Sequence, residues 1–172
     1  MATTQGMPAA EFLLVIRDHF VETLKQEHGT TKKVLQQIRP GDWRPDPKSR
    51  TAAELSWHLV HSEIWFLESV ANGKFVGGEE SARPSHAEII AYYEQNFPKH
   101  VNRISQLSAA QLGAVVNFYG MKLPLYAYLD LCLRHSIHHR GQLTAYLRAL
   151  GGKVPDIYGG SADEPWQGAA SN

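Results

Sequence analysis

The chain has 172 residues, with 17 Lys and Arg against 17 Asp and Glu, so its formal net charge is zero with histidine neutral. That length suits one domain with a sizeable core. The absence of a basic run speaks against nucleic acid as a partner, and a single cysteine, Cys132, excludes an intramolecular disulfide.

From the N-terminus, "MATTQGMPAAEF" lacks a basic region followed by an apolar core, and no apolar run approaches the roughly 20 residues of a membrane span. A cytoplasmic protein without membrane attachment is the expectation. The first segment, "AEFLLVIRDHFVETLKQEHGTTKKVLQQI", spaces Leu13, Ile16, Phe20, Leu24, Val34 and Ile38 at helical intervals, with Gly29 as a point where it could kink. "RPGDWRPDPKSR" reads as a loop. Thr51, with Glu54 three residues on, has capping-box spacing and opens a second helix through "AAELSWHLVHSEIWFLESVAN", which stops near Gly73. "GKFVGGEESARP" is a further loop. Ser85 and Glu88 repeat the box and open a third helix, with Pro98 inside it. Ala114 to Tyr119 reads as a short extended stretch or an irregular crossing. A fourth long helix follows from about Leu123 to Leu150, ending at Gly151-Gly152. The pattern predicts an all-α, four-helix bundle with an irregular crossover before the last helix. It forms a single domain over 1–172, with about 1–8 and 162–172 as flexible tails.

Nine histidines are the unusual feature of the composition. At about 100° per residue, Leu125, Leu129, Cys132, Leu133, Ser136, Leu143 and Leu147 make the core stripe of the last helix. His135 and His139 lie one turn apart on its flank, at about −120° and −80° from Leu129, whereas His138 falls near 180°. On the second helix His58 sits about −100° from Leu59, at the edge of that stripe, and His61 lies further round. Three neutral imidazoles from two neighbouring helices suit Zn²⁺ or Ni²⁺, with a position left for water or substrate. The competing explanation is half-buried histidines that only hydrogen-bond to their neighbours.

Charged residues also point inward. Arg140 lies at about +20° and Glu63 at about +40° on their wheels, and a buried lone charge is costly. They are expected to pair with each other, as a structural ion pair or with Arg140 receiving an anionic substrate group. Glu27 and Thr31 interrupt the apolar row of the first helix. Glu27 could be an acceptor behind a ligand imidazole, a general base, a further ligand or a salt-bridge partner. Gly141 suggests the close approach of another helix, and Gln142 and Tyr146 fall near the mouth of the same pocket. Trp57, Ile64 and Trp65 lie off the main stripe of the second helix and call for a dimer contact or a covering loop. Cys132 reads as a buried hydrophobe.

Taken together, "TAAELSWHLVHSE" in the second helix, "HSIHHRGQLTAYLRALGG" in the last and "VPDIYG" after it resemble the DinB-like (DinB/YfiT) superfamily of metal-dependent proteins over nearly the whole chain. Carried over residue by residue, the resemblance implies a divalent ion, zinc or nickel, held by His58, His135 and His139 and completed by water. It also implies a homodimer. Some relatives are implicated in low-molecular-weight thiol chemistry, and others resemble metal-dependent hydrolases or isomerases. The expected function is therefore a metal-dependent enzyme of thiol S-transferase or hydrolase type, acting on a small molecule, with Glu27 and Arg140 as base or substrate anchor. The alternative is a non-catalytic, metal-binding stress-response dimer.

Overall fold

A computed structural model describes residues 9–39, 43–80 and 84–166; the remainder of each expected tail, 1–8 and 167–172, lies outside the described residues. Four long helices form the body: α1 (Ala9–Gln37), α2 (Ala52–Asn72), α3 (His86–Ile104) and α5 (Leu125–Ala149). A short α4 (Ala109–Gly113) and a hairpin of β1 (Val115–Phe118) and β2 (Met121–Pro124) form the crossover before α5. The helical bundle expected from the periodicity is what forms. Among the described residues no helix is long and apolar enough to cross a membrane.

Local chemistry sets the helix starts. Thr51 Oγ1 accepts the amide of Glu54 (3.1 Å) while Glu54 Oε2 accepts the amide of Thr51 (2.9 Å). Ser85 and Glu88 do the same for α3, and Ser108 and Gln111 for α4. Each box satisfies two amides that a helix start otherwise leaves without partners. Gly73, at φ 70°, ends α2 in the left-handed region that glycine enters without steric penalty.

The uncertain stretch before α5 resolves into two antiparallel strands, with Val115 opposite Pro124 and Phe118 opposite Met121. Tyr119 and Gly120 turn the chain at φ 47° and 93°, the positive values a tight two-residue hairpin requires. The Tyr128 hydroxyl, on the buried face of α5, sits between the carbonyls of Val116 and Met121 at 2.9 and 2.8 Å, tying the hairpin to the bundle.

Packing follows the apolar stripes. α1 lies against α3 and α5, and α2 also lies against α3 and α5, so α1 and α2 occupy opposite corners of the bundle. Leu24, Leu59, Leu67, Leu129 and Leu143 are fully buried between them. Ile64, expected off the stripe of α2, is also in the core, because α2 is contacted by helices on two sides. Trp65 is covered by a loop: its indole donates to the Val76 carbonyl at 2.9 Å, and a Cβ on Gly78 would lie 2.7 Å from its ring.

Gly141 departs from expectation. No helix approaches it, and a Cβ added there meets nothing within 4 Å; the same holds at Gly29, inside an α1 that runs on without a break. Glycine in an open helix interior is worth about 0.5–1 kcal/mol less than alanine. Gly29→Ala and Gly141→Ala are each expected to raise unfolding free energy by that amount, measured by urea denaturation. A loss on either substitution would mean that something contacts the position.

Candidate metal centre

Three imidazoles meet where α2 faces α5. His58 comes from the second turn of α2, and His135 and His139 from successive turns of α5, all three half-buried. One nitrogen from each lies within 4.8 Å of the others, and the ring centroids are 5.1, 4.6 and 4.4 Å apart. His138 is exposed on the far side of α5. His61 packs on Trp57, and His28 stacks on Phe97 at 4.2 Å; neither belongs to the group.

The hydrogen bonds behind the rings decide which nitrogens face inward. His58 Nδ1 bonds Glu80 Oε1, and His139 Nδ1 bonds Gln142 Oε1 at 2.7 Å. Both partners accept, so each Nδ1 carries the proton and each Nε2 presents a lone pair. Those two Nε2 atoms face each other at 3.2 Å. His135, whose ring joins the same group, has its Nδ1 buried without a hydrogen-bond partner. Two opposed lone pairs are unfavourable unless something positive lies between them. A shared proton is disfavoured. Burial, helped by the charges of its histidine neighbours, holds the His135 pKa down to about 4. Burial likewise lowers that of His139, against the opposing hydrogen bond to Gln142. A cation fits: zinc–nitrogen bonds of about 2.0–2.1 Å at tetrahedral angles set two nitrogens about 3.3 Å apart. The three-histidine group can thus hold a metal ion.

The expected Glu63–Arg140 pair does not form. Arg140, only 1% exposed, points to the α1 corner, where its NH1 meets Glu27 Oε2 at 2.5 Å and Thr31 Oγ1 at 3.2 Å. Tyr158, in the segment after α5, donates its hydroxyl to the same Glu27 oxygen at 2.7 Å and accepts from Arg140 NH2. A helical wheel shows that Arg140 faces inward; it does not show which of the two helices flanking α5 receives it. Glu27 and Arg140 are therefore joined to each other and are not brought into the imidazole group.

Glu63 instead accepts from the Tyr93 hydroxyl at 2.9 Å. Burial pushes its carboxyl up to about 7, against the opposing hydrogen bond from Tyr93. Between pH 4.5 and 7 the folded protein keeps a proton there that the unfolded chain has lost. This contribution is complete below 4.5 and is lost as pH rises through 7, a swing of roughly 3 kcal/mol. Glu63→Gln removes the titration, so the variant is expected to gain on the wild type from pH 5 to 7 and to level off above that in urea denaturation. A difference that stays constant with pH would mean that Glu63 is ionised throughout. Cys132, 1% exposed with its thiol pushed up by burial, behaves as the expected hydrophobe.

Glu80 is the member of the site that sequence reasoning missed. It lies in the loop between α2 and α3, where no periodicity marks inward positions. The run "GGEE" holds the residue but offers no sign that a side chain turns back onto α2.

Comparison with known proteins agrees with this architecture. A family model described as the DinB family matches residues 4–168. The chain is 30% identical over 154 residues to the uncharacterized protein YrdA of Bacillus subtilis strain 168, covering 87% of this chain and 91% of that protein. A crystal structure of a DinB-like protein from Bacillus cereus ATCC 10987 superposes with a TM-score of 0.72 at 26% identity, covering 82% of this chain and 97% of that one. The DinB-like protein YjoA from Bacillus subtilis shares the fold at a TM-score of 0.69 and 22% identity, over 81% of this chain and 97% of its own.

Proposed function

The chain belongs to the DinB family, and from that premise we propose that His58, His135 and His139 hold one divalent cation, zinc or nickel, in a metal-dependent enzyme acting on a small molecule. The observation that carries this reading is the pair of unprotonated Nε2 atoms facing each other at 3.2 Å. Three protein donors leave a coordination position free, the pattern of catalytic sites and not of closed structural ones. An ion held there supplies Lewis acidity, lowering the pKa of a bound water or thiol enough to make it a nucleophile near neutral pH.

The protein's own residues prepare the donors. Glu80 accepts a hydrogen bond from the His58 Nδ1–H, fixing the ring's tautomer and strengthening the opposite nitrogen as a donor, and Gln142 Oε1 accepts likewise from His139 Nδ1–H. Burial keeps His135 neutral at pH 7. A thiol S-transferase and a hydrolase both use this arrangement, differing only in whether a low-molecular-weight thiol or water attacks. We propose in addition that the protein is a cytoplasmic homodimer. Phe12 and Val15, 54% and 50% exposed on the outer face of α1, offer apolar surface for the contact; light scattering should return twice the chain mass.

The test pairs two assays, each with zinc, with nickel and after chelation. One is displacement of chloride from 1-chloro-2,4-dinitrobenzene by the thiol of cysteine, and the other is hydrolysis of p-nitrophenyl acetate. Rate enhancement that vanishes on chelation and returns with the ion supports the enzyme. Binding of the ion without acceleration of either reaction assigns the protein to the alternative, a non-catalytic metal-binding stress-response dimer.

A further inference from the structure

Beside the imidazole group lies a cavity of about 480 Å³, between the loop that precedes α2 and the first turns of α2. This size is within the range of about 300–1,000 Å³ typical of small-molecule sites. Arg44, Lys48 and Arg50 line it, with Trp57 offering an apolar wall, and the carboxylates present are those of Glu54 and Glu80. Both acids are engaged. Glu54 Oε2 accepts the Thr51 amide and lies 3.7 Å from Arg44, and Glu80 bonds His58. Among the described residues Lys48 and Arg50 form no ion pair, and that of Arg44 is long. One exposed cation is an ordinary surface feature; three cations against two carboxylates that are already hydrogen-bonded leave this concavity with a net positive charge.

Two contacts join this cavity to the imidazoles. Glu80 forms part of its wall while bonding His58 Nδ1. The loop carrying the cations is also fastened to α5. The Tyr146 hydroxyl donates to the Arg50 carbonyl at 3.3 Å, and Trp43 packs edge-on against the Tyr146 ring. Tyr146 stands one turn beyond Gln142, the residue that bonds His139. Arg140, the cation buried in the bundle, is occupied by Glu27 and Tyr158.

We propose that this cavity receives an anionic group, carboxylate or phosphate, of the small molecule whose reacting end lies at the three imidazoles, with Arg44, Lys48 and Arg50 as its anchors. Its link to chemistry rests on the metal-centre reading above; the anion subsite itself stands on the cavity and its cations. The substrate class is then narrower than small molecules in general: an electrophile, ester or thiol bearing at least one negative charge apart from its reacting atom.

The test titrates the zinc-loaded full chain with sodium succinate and, separately, inorganic phosphate, at ionic strength held constant with sodium chloride. Trp57's indole resonance in a proton–nitrogen correlation spectrum reports occupancy, and elemental analysis of the same samples reports zinc. The comparison is the triple variant Arg44→Ala, Lys48→Ala, Arg50→Ala, whose sites are exposed, so its thermal midpoint should match the wild type. The expected result is a saturable shift with at least one anion, weakened about tenfold or more in the triple variant while zinc content stays unchanged. The anion that binds more tightly identifies the group. No saturable shift with either anion, or equal binding in the variant, overturns the subsite even with zinc fully bound. A wild type that binds the anion but no zinc overturns the metal reading and leaves the subsite standing.

Discussion

Replacing Arg140 with alanine is expected to lower folding stability by about 3–5 kcal/mol. The substitution does more than remove an ion pair. It strands the Glu27 carboxylate, only 8% exposed, with the Tyr158 hydroxyl as its remaining partner, and it unties Thr31 on the same turn. Tyr158→Phe is expected to lose less, about 1–2 kcal/mol, because the ion pair survives it. The double variant Glu27→Gln, Arg140→Met should recover much of the Arg140→Ala loss, since neither partner is then left charged and alone. Urea denaturation of the four proteins measures all of this. A loss below about 1 kcal/mol for Arg140→Ala would show that the cluster is open to water. Because the cluster links α1, α5 and the segment after α5, the loss should appear in unfolding free energy while the metal content of the folded variant is retained.

The second large effect concerns the centre itself. Zinc at about a thousand times its dissociation constant should stabilise the wild type by about 4 kcal/mol, because the ion binds the folded arrangement and not the unfolded chain. His58→Ala and His139→Ala should show no such gain, since either change removes one of the two facing Nε2 atoms. Glu80→Ala should keep the gain but require about 10–100 times more zinc, as befits a residue that only orients a donor. Thermal midpoints recorded across a zinc titration separate these cases. An equal rise in the His139→Ala variant would place the bound zinc elsewhere on the surface.

How much of this was legible beforehand differs by element. Capping boxes at Thr51 and Ser85 announced α2 and α3, because the side-chain chemistry that starts a helix is local and has fixed spacing. The phase of His58, His135 and His139 was legible for the same reason: 100° per residue fixes which faces they share. Interhelical partnership was not. Arg140 faces a corner between two helices, and only the packing of α1 opposite α2 explains why it met Glu27 and left Glu63 to Tyr93. Gly141 misled in a similar way, since a glycine admits close approach but does not require it. Glu80 and Tyr158 come from irregular segments, where no period tells which side chain turns back onto the bundle. The hairpin lay between these extremes. Its Tyr-Gly turn permits positive φ without demanding it, so "VVNFYGMK" left extended and irregular readings open.

The central claim is that three imidazoles share one ion. Elemental analysis of tag-free protein, wild type beside His58→Ala and His135→Ala, tests it most directly. The account predicts about one zinc or nickel per chain in the wild type and none in either variant. A wild type that remains free of metal after incubation with Zn²⁺ and with Ni²⁺ would contradict it, leaving the three histidines as packing between α2 and α5.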